Sequence, residues 1–135
     1  MTSHLHENDL PDGLNLGNLV AIDTETMGLN LHRDRLCLIQ LSSGNGVSHL
    51  VKISKNFSNA PNLKRLFINS QVLKLFHYGR FDIAVLLNHF GVLTSPVYCT
   101  KIASRLVRTF TDKHGLKNIL NELLDIDLSK QQQSS

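Results

Sequence analysis

The segment that most constrains the fold runs from Leu19 through Thr26. A continuous apolar stretch, Leu19 to Ile22, is followed by Asp23-Thr-Glu-Thr26. It reads as a strand buried on both faces that ends in polar residues. Asp23 and Glu25 are two apart, so on a strand their side chains leave the same face. Carboxylates side by side at the end of a buried strand repel, and burying an unpaired charge is costly. Taken alone, a D-x-E at a strand end is most often a pair of solvent-facing acids. A divalent cation is the alternative that resolves the repulsion. An all-oxygen donor set suits Mg²⁺ or Mn²⁺ rather than softer metals.

The rest of the chain organises around that strand. Leu36 to Ser42 predicts a second strand, Ser43-Gly-Asn-Gly46 a turn with Asn-Gly as its hairpin signal, and Val47 to Ile53 a third strand. The chain is therefore expected to open with an antiparallel meander. Helical character follows over Pro61 to Asn69, a strand over Val72 to Phe76, and a helix over Arg80 to Phe90 that Gly91 stops. Phe81, Ala84, Val85 and Leu86 or Leu87 are expected to face the core. Val97 to Cys99 reads as a short strand and Lys101 to Phe110 as a helix. Leu116, Ile119, Leu120, Leu123 and Leu124 form the stripe of a further amphipathic helix. A meander followed by alternating helices and strands predicts an α/β domain with a mixed sheet, the layout of ribonuclease H-like folds.

Asp82 is the next carboxylate of interest. An acid in the first turn of a helix is favoured by the helix dipole whatever else it does. Its place after the fourth strand brings it near the tip of the first if those strands are neighbours. Asp23, Glu25 and Asp82 would then surround a site for two cations, which clamp the attacking and leaving oxygens of an in-line phosphoryl displacement.

Composition adds bounds. The 135 residues suffice for one domain, and at 41% hydrophobic and 19% charged they have the make-up of an ordinary soluble globular protein. No apolar run approaches the roughly 20 residues of a membrane helix. The polar start lacks a signal-peptide pattern, so a cytoplasmic location with no membrane partner is expected. Cys37 and Cys99 sit in apolar stretches and read as buried free thiols, with no Cys/His cluster for zinc. The net charge of +3 is compatible with a phosphate-bearing partner but does not demand one.

Ala21-Ile-Asp-Thr-Glu-Thr-Met-Gly-Leu29 resembles the first motif of the DEDD 3′→5′ exonucleases. Asp34-Arg-Leu-Cys-Leu-Ile-Gln-Leu-Ser42 is similar to the ribonuclease D branch of that family. Phe76-His-Tyr-Gly-Arg-Phe-Asp82 resembles its second motif. Tyr98 to Leu106 and His114 to Leu120 resemble further ribonuclease D segments, in the right order. The resemblance covers nearly the whole chain, from about His6. It implies a metal-dependent exoribonuclease that releases nucleoside 5′-monophosphates from single-stranded 3′ ends of RNA, such as tRNA precursors, or of DNA. It implies two Mg²⁺ or Mn²⁺ ions held by Asp23, Glu25 and Asp82. Thr26, Met27 and Leu29 are the implied contacts of the terminal nucleotide, with Leu29 a wedge against the last bases. Phe81 is a candidate base contact, and Arg80 and Lys117 are candidate phosphate contacts. Core packing for Leu29 and Phe81, and a solvated surface for the two cations, remain the plainer readings.

The sequence departs from that pattern in two places. Tyr78 stands where many relatives carry Asn. The family's Tyr-x-x-x-Asp motif is expected on a helix after the Gln/Ser-rich segment Ser129 to Ser135, and no residues follow that segment. The expectation is a single, incomplete exonuclease domain spanning residues 1–135, with impaired activity and weakened metal binding. The alternatives are a catalytically inactive nucleic-acid-binding domain, and an interaction domain that self-associates through the surface left by the absent helix.

Overall fold

The computed structural model describes residues 2–127. Six strands form one mixed sheet in the order β1-β4-β3-β2-β5-β6. They are β1 (Thr2–Glu7), β2 (Leu19–Thr26), β3 (Leu36–Ser42), β4 (Val47–Lys52), β5 (Leu73–Phe76) and β6 (Val97–Cys99). The helices are α1 (Pro61–Ile68), α2 (Gly79–Phe90), α3 (Thr100–Val107) and α4 (Leu116–Leu124). Strands β2, β3 and β4 make the expected antiparallel meander. Strands β5 and β6 then add in parallel beside β2.

One face of the sheet carries the core. Val20 and Ile22 from β2, Ile39 and Leu41 from β3, and Val51 from β4 pack with Leu63 and Phe67 of α1 and Val85, Leu86 and Phe90 of α2. Helix α2 ends where Gly91 takes a left-handed conformation at φ 73° and its N–H bonds the Leu87 carbonyl, as glycine does at helix ends. Its buried stripe is Asp82, Val85, Leu86 and Phe90. Leu87 is exposed, and Phe81 is partly buried against the core.

Several sequence expectations need correction. The chain does not open with the meander: β1 precedes it and pairs in parallel with β4 at the sheet edge. Strand β2 is buried on one face only. Val20 and Ile22 are covered, whereas Leu19 and Ala21 point to the open face of the sheet. Cys37 and Cys99 are free but half-buried. Cys37 sits on the outward side of β3, where the pairing with β2 skips one residue. Helix α3 stops at Val107 rather than Phe110. Helix α4 forms over the expected stripe, but none of its residues is buried among the described residues. The segment Ser129 to Ser135 lies outside the described residues.

The turn after β3 illustrates the local chemistry. Gly44 and Gly46 take φ of 82° and 81°, a region closed to most side chains. The left-handed positions thus fall on the glycines that flank Asn45. Helix α1 begins at Pro61, which needs no N–H partner there. Its free N–H groups at Asn62 and Leu63 are taken by the Asp9 carboxylate, from the segment after β1.

Candidate active site

Strands β2 and β5 run in parallel, but their pairing stops at Ala21 and Leu75. Beyond that point β2 continues without its neighbour. The chain leaves β5 at Phe76, turns through His77 and Tyr78, and enters α2 at Gly79. Gly79 is required by crowding: a Cβ there would lie 2.6 Å from Cβ of Phe76. The turn is tight enough that the first turn of α2 fills the place a longer β5 would occupy.

Asp82 does that filling. Its Oδ1 accepts the backbone N–H of Thr24 at 3.1 Å and the Thr24 hydroxyl at 2.5 Å. Thr24 is buried, with its side chain on the covered face, while Asp23 and Glu25 on either side leave the other face. A single carboxylate is thereby fixed to the residue between the other two. Asp23, Glu25 and Asp82 share one open cleft of about 690 Å³ at the carboxyl ends of β2 and β5. Ligands of open α/β sheets characteristically sit there.

The electrostatics follow from burial. Asp82 is pushed up from 3.8 to about 6, mainly by desolvation and also by the nearby charge of Asp23, against the Thr24 hydrogen bonds. Burial also raises Asp23, which the Thr24 N–H partly offsets. Asp23 and Asp82 therefore hold negative charge under strain, which a cation would relieve. Oxygen donors of this kind fit Mg²⁺ or Mn²⁺. Among the described residues, no three Asp, Glu, His or Cys side chains stand so as to hold an ion by themselves. Oxygen atoms from water, phosphate or a further acid are needed to complete the donor set.

The loop after β2 borders the same cleft. The Thr26 hydroxyl donates to the Gly28 carbonyl at 2.5 Å. Asp34 accepts the Asn30 N–H at 2.9 Å and pairs with Arg33. Asp34 also lies where a Gly28 Cβ would be, 2.4 Å away. So folded, the loop leaves Leu29 83% exposed over the cleft. Leu29 is thus not a core residue.

The other sequence candidates divide. Thr26, Arg80 and Phe81 line the cleft with the acids. Met27 faces a neighbouring hollow formed with His32, Asp34 and Arg35. Lys117 lines neither this cleft nor the adjoining one of about 600 Å³, where Asp23 meets Thr100 and Leu116. Sequence reasoning missed Thr24, His77 and Tyr78. Thr24 carries no signal, because a threonine on a strand is unremarkable. Tyr78 was visible only as a departure from Asn.

A family model described as 3′-5′ exonuclease matches residues 6–135. Ribonuclease D of Zymomonas mobilis is 29% identical over 117 residues, covering 87% of this chain and 30% of that protein. Among solved structures, Brucella melitensis NrnC bound to pGG is 53% identical, with a TM-score of 0.93 over 96% of this chain and 64% of that one. The same protein with bound Mg²⁺ gives a TM-score of 0.92 at 53% identity, over 96% of this chain and 65% of that one. Escherichia coli RNase D, described as an exoribonuclease involved in structured RNA processing, gives a TM-score of 0.70 at 28% identity, over 88% of this chain and 31% of that one. The chain thus spans about 30% of the length of the ribonuclease D it matches and about 64% of the NrnC chain.

Proposed function

This chain belongs to the 3′-5′ exonuclease family, and on that premise we propose that it removes nucleotides singly from single-stranded RNA 3′ ends as nucleoside 5′-monophosphates. The observation that carries this reading is the anchoring of Asp82 on Thr24, which sets three carboxylates around one open cleft. Asp23, Glu25 and Asp82 would hold two divalent cations, the class of ion bound in the NrnC structure. Such a pair, when bound, makes hydroxide available near neutral pH and neutralises the leaving 3′-oxygen. The protein's own groups position the substrate. Glu25 and the backbone at Thr26 hold the terminal 3′-OH, Leu29 wedges against the last base, and Arg80 at the rim offsets phosphate charge. Phe81 is a lesser base contact, since it also packs against the core.

The physiological substrates we propose are short RNA ends, including tRNA precursors, in the cytoplasm. Among the described residues no helix is long and apolar enough to cross a membrane. Residues 1–135 act in this reading as one exonuclease unit. The Tyr-x-x-x-Asp motif of the family would position the attacking water, a role worth about 10²–10⁴-fold.

A second reading is a nucleic-acid-binding domain without catalysis. It is favoured by the absence, among the described residues, of three side chains that hold an ion by themselves. An assay on 5′-labelled single-stranded RNA with Mg²⁺ or Mn²⁺ separates the two. Laddering from the 3′ end, abolished by Asp23→Asn, supports the exonuclease. Binding without cleavage, also in a form extended through a Tyr-x-x-x-Asp helix, favours the second reading.

A further inference from the structure

Two side chains that face each other, one of them lining the cleft, break local rules. Tyr78 holds φ 59° and ψ 51°, the left-handed region, at the joint between β5 and α2. A non-glycine residue there costs on the order of 1 kcal/mol, and Asn or Gly does the same job at less cost. Nor does the ring recover that cost by packing, since Tyr78 is 51% exposed. Lys101 lies in the first turn of α3, where the positive end of the helix dipole disfavours a cation. Its ammonium sits 4.3 Å from the centre of the Tyr78 ring. Local rules are most often broken where function demands it.

The surroundings hold this pair in place. His77 Nδ1 and the Thr100 hydroxyl are 2.8 Å apart, and Thr100 also donates to the Phe76 carbonyl at 3.3 Å. The start of α3 is thereby tied to the end of β5. Tyr78 lines the cleft of Asp23, Glu25 and Asp82.

The sheet order gives the cleft a direction. Strands lie as β3-β2-β5-β6 across this end. The loop joining β2 to β3, with Leu29, lies to one side of the acids on β2. The joints that carry Tyr78 and Lys101, after β5 and β6, lie to the other. An RNA 3′ end seated at Leu29 therefore extends its preceding nucleotide toward Tyr78 and Lys101.

We infer that Tyr78 and Lys101 form the seat of the nucleotide on the 5′ side of the cleaved bond, the phenol ring stacking on its base and the ammonium meeting its phosphate. This rests on the exonuclease reading above, which places the 3′ nucleotide at Leu29. Aromatic stacking of a base is tolerant of sequence and strong enough to matter, at about ten- to a hundredfold in affinity. A cation over an aromatic face is likewise a stable arrangement that an incoming phosphate can share.

The test is calorimetric titration with Ca²⁺ present, using AMP, the 5′-phosphorylated dinucleotide pApA, and ApA without that phosphate. Tyr78→Asn removes the ring and keeps the left-handed backbone; Tyr78→Phe keeps the ring. Thermal unfolding checks that each variant is folded. Tyr78→Asn is expected to lower pApA affinity about tenfold more than AMP affinity, and Tyr78→Phe to restore it. Lys101→Ala is expected to weaken pApA more than ApA. Equal losses for AMP and pApA, or no loss in either variant, overturn the inference and leave the exonuclease reading standing. A wild-type chain that binds neither pApA nor longer single-stranded RNA overturns both.

Discussion

Asp82 concentrates the chemistry of single residues. Its carboxyl ionises near 3.8 in an unfolded chain and at about 6 in the fold. Below 3.8 both states hold the proton, and there is no difference between them. Between the two values only the folded state keeps it. Above about 6 the folded state bears the full cost of the buried charge, so stability falls as pH rises through this window. The shift corresponds to about 3 kcal/mol. Asp82→Asn keeps an acceptor for Thr24 and removes that charge. In metal-free buffer we expect it to be more stable than wild type at pH 7.5 by up to about 3 kcal/mol, with the gap closing toward pH 4, as read by urea unfolding. A gap that does not change with pH contradicts this account. At this scale Asp23 and Glu25 were legible in the sequence, because their spacing fixes their common face. The partner that anchors Asp82 was not, because a hydrogen bond between residues 58 apart in sequence depends on where β5 stops.

At the scale of elements, apolar runs, the Asn-Gly turn signal and helical periodicity gave the meander, α1, β5, α2 and β6 with ends shifted by a residue or so. Edge strand β1 escaped because Thr2-Ser-His-Leu-His-Glu7 presents no apolar face to a core. What it presents instead is histidine. His4 and His6 stack against His49 of β4, with ring centres 5.4 and 5.2 Å away, and His6 Nε2 lies 3.0 Å from His49 Nδ1. Leu41 of β3 stands opposite His49 on the other side. Burial, then the charges of His6 and His4, hold His49 below its usual 6.5. A lowered histidine gives stability that is present above 6.5 and lost as pH falls, because the unfolded chain takes up the proton more readily. Amide exchange at residues 3–7, corrected for intrinsic rates, should therefore speed up between pH 7.5 and 5.5. His49→Leu should flatten that dependence. An unchanged pH dependence in the variant would remove His49 as its cause. Lys74 was equally hidden: within an apolar strand it is wholly buried, its ammonium donating to the Asn69 and Ser95 carbonyls at 2.7 Å each.

At the scale of the whole molecule, sequence motifs and sheet topology reach the same place from different sides. The motifs placed acids on two segments far apart in sequence, and the sheet order puts those segments together at one end. Leu5 on edge strand β1, Leu106 and Val107 at the end of α3, and Phe110 just after it are between 65% and 79% exposed. We propose that the exposed apolar side chains around the end of α3 favour contact with another copy. We expect light scattering at rising concentration to detect a dimer or larger species, and a strict monomer at all concentrations would refute self-association. We propose above all that Asp23, Glu25 and Asp82 act as one cation-binding centre. Titration with Mn²⁺ at pH 7.5, followed by the loss of free-ion signal in electron paramagnetic resonance, tests it most directly. Expected is saturable binding that Asp23→Asn, Glu25→Gln and Asp82→Asn each weaken about tenfold or more, and that wild type loses as pH falls below about 6. Binding that is absent in wild type, or untouched by all three substitutions, would contradict it.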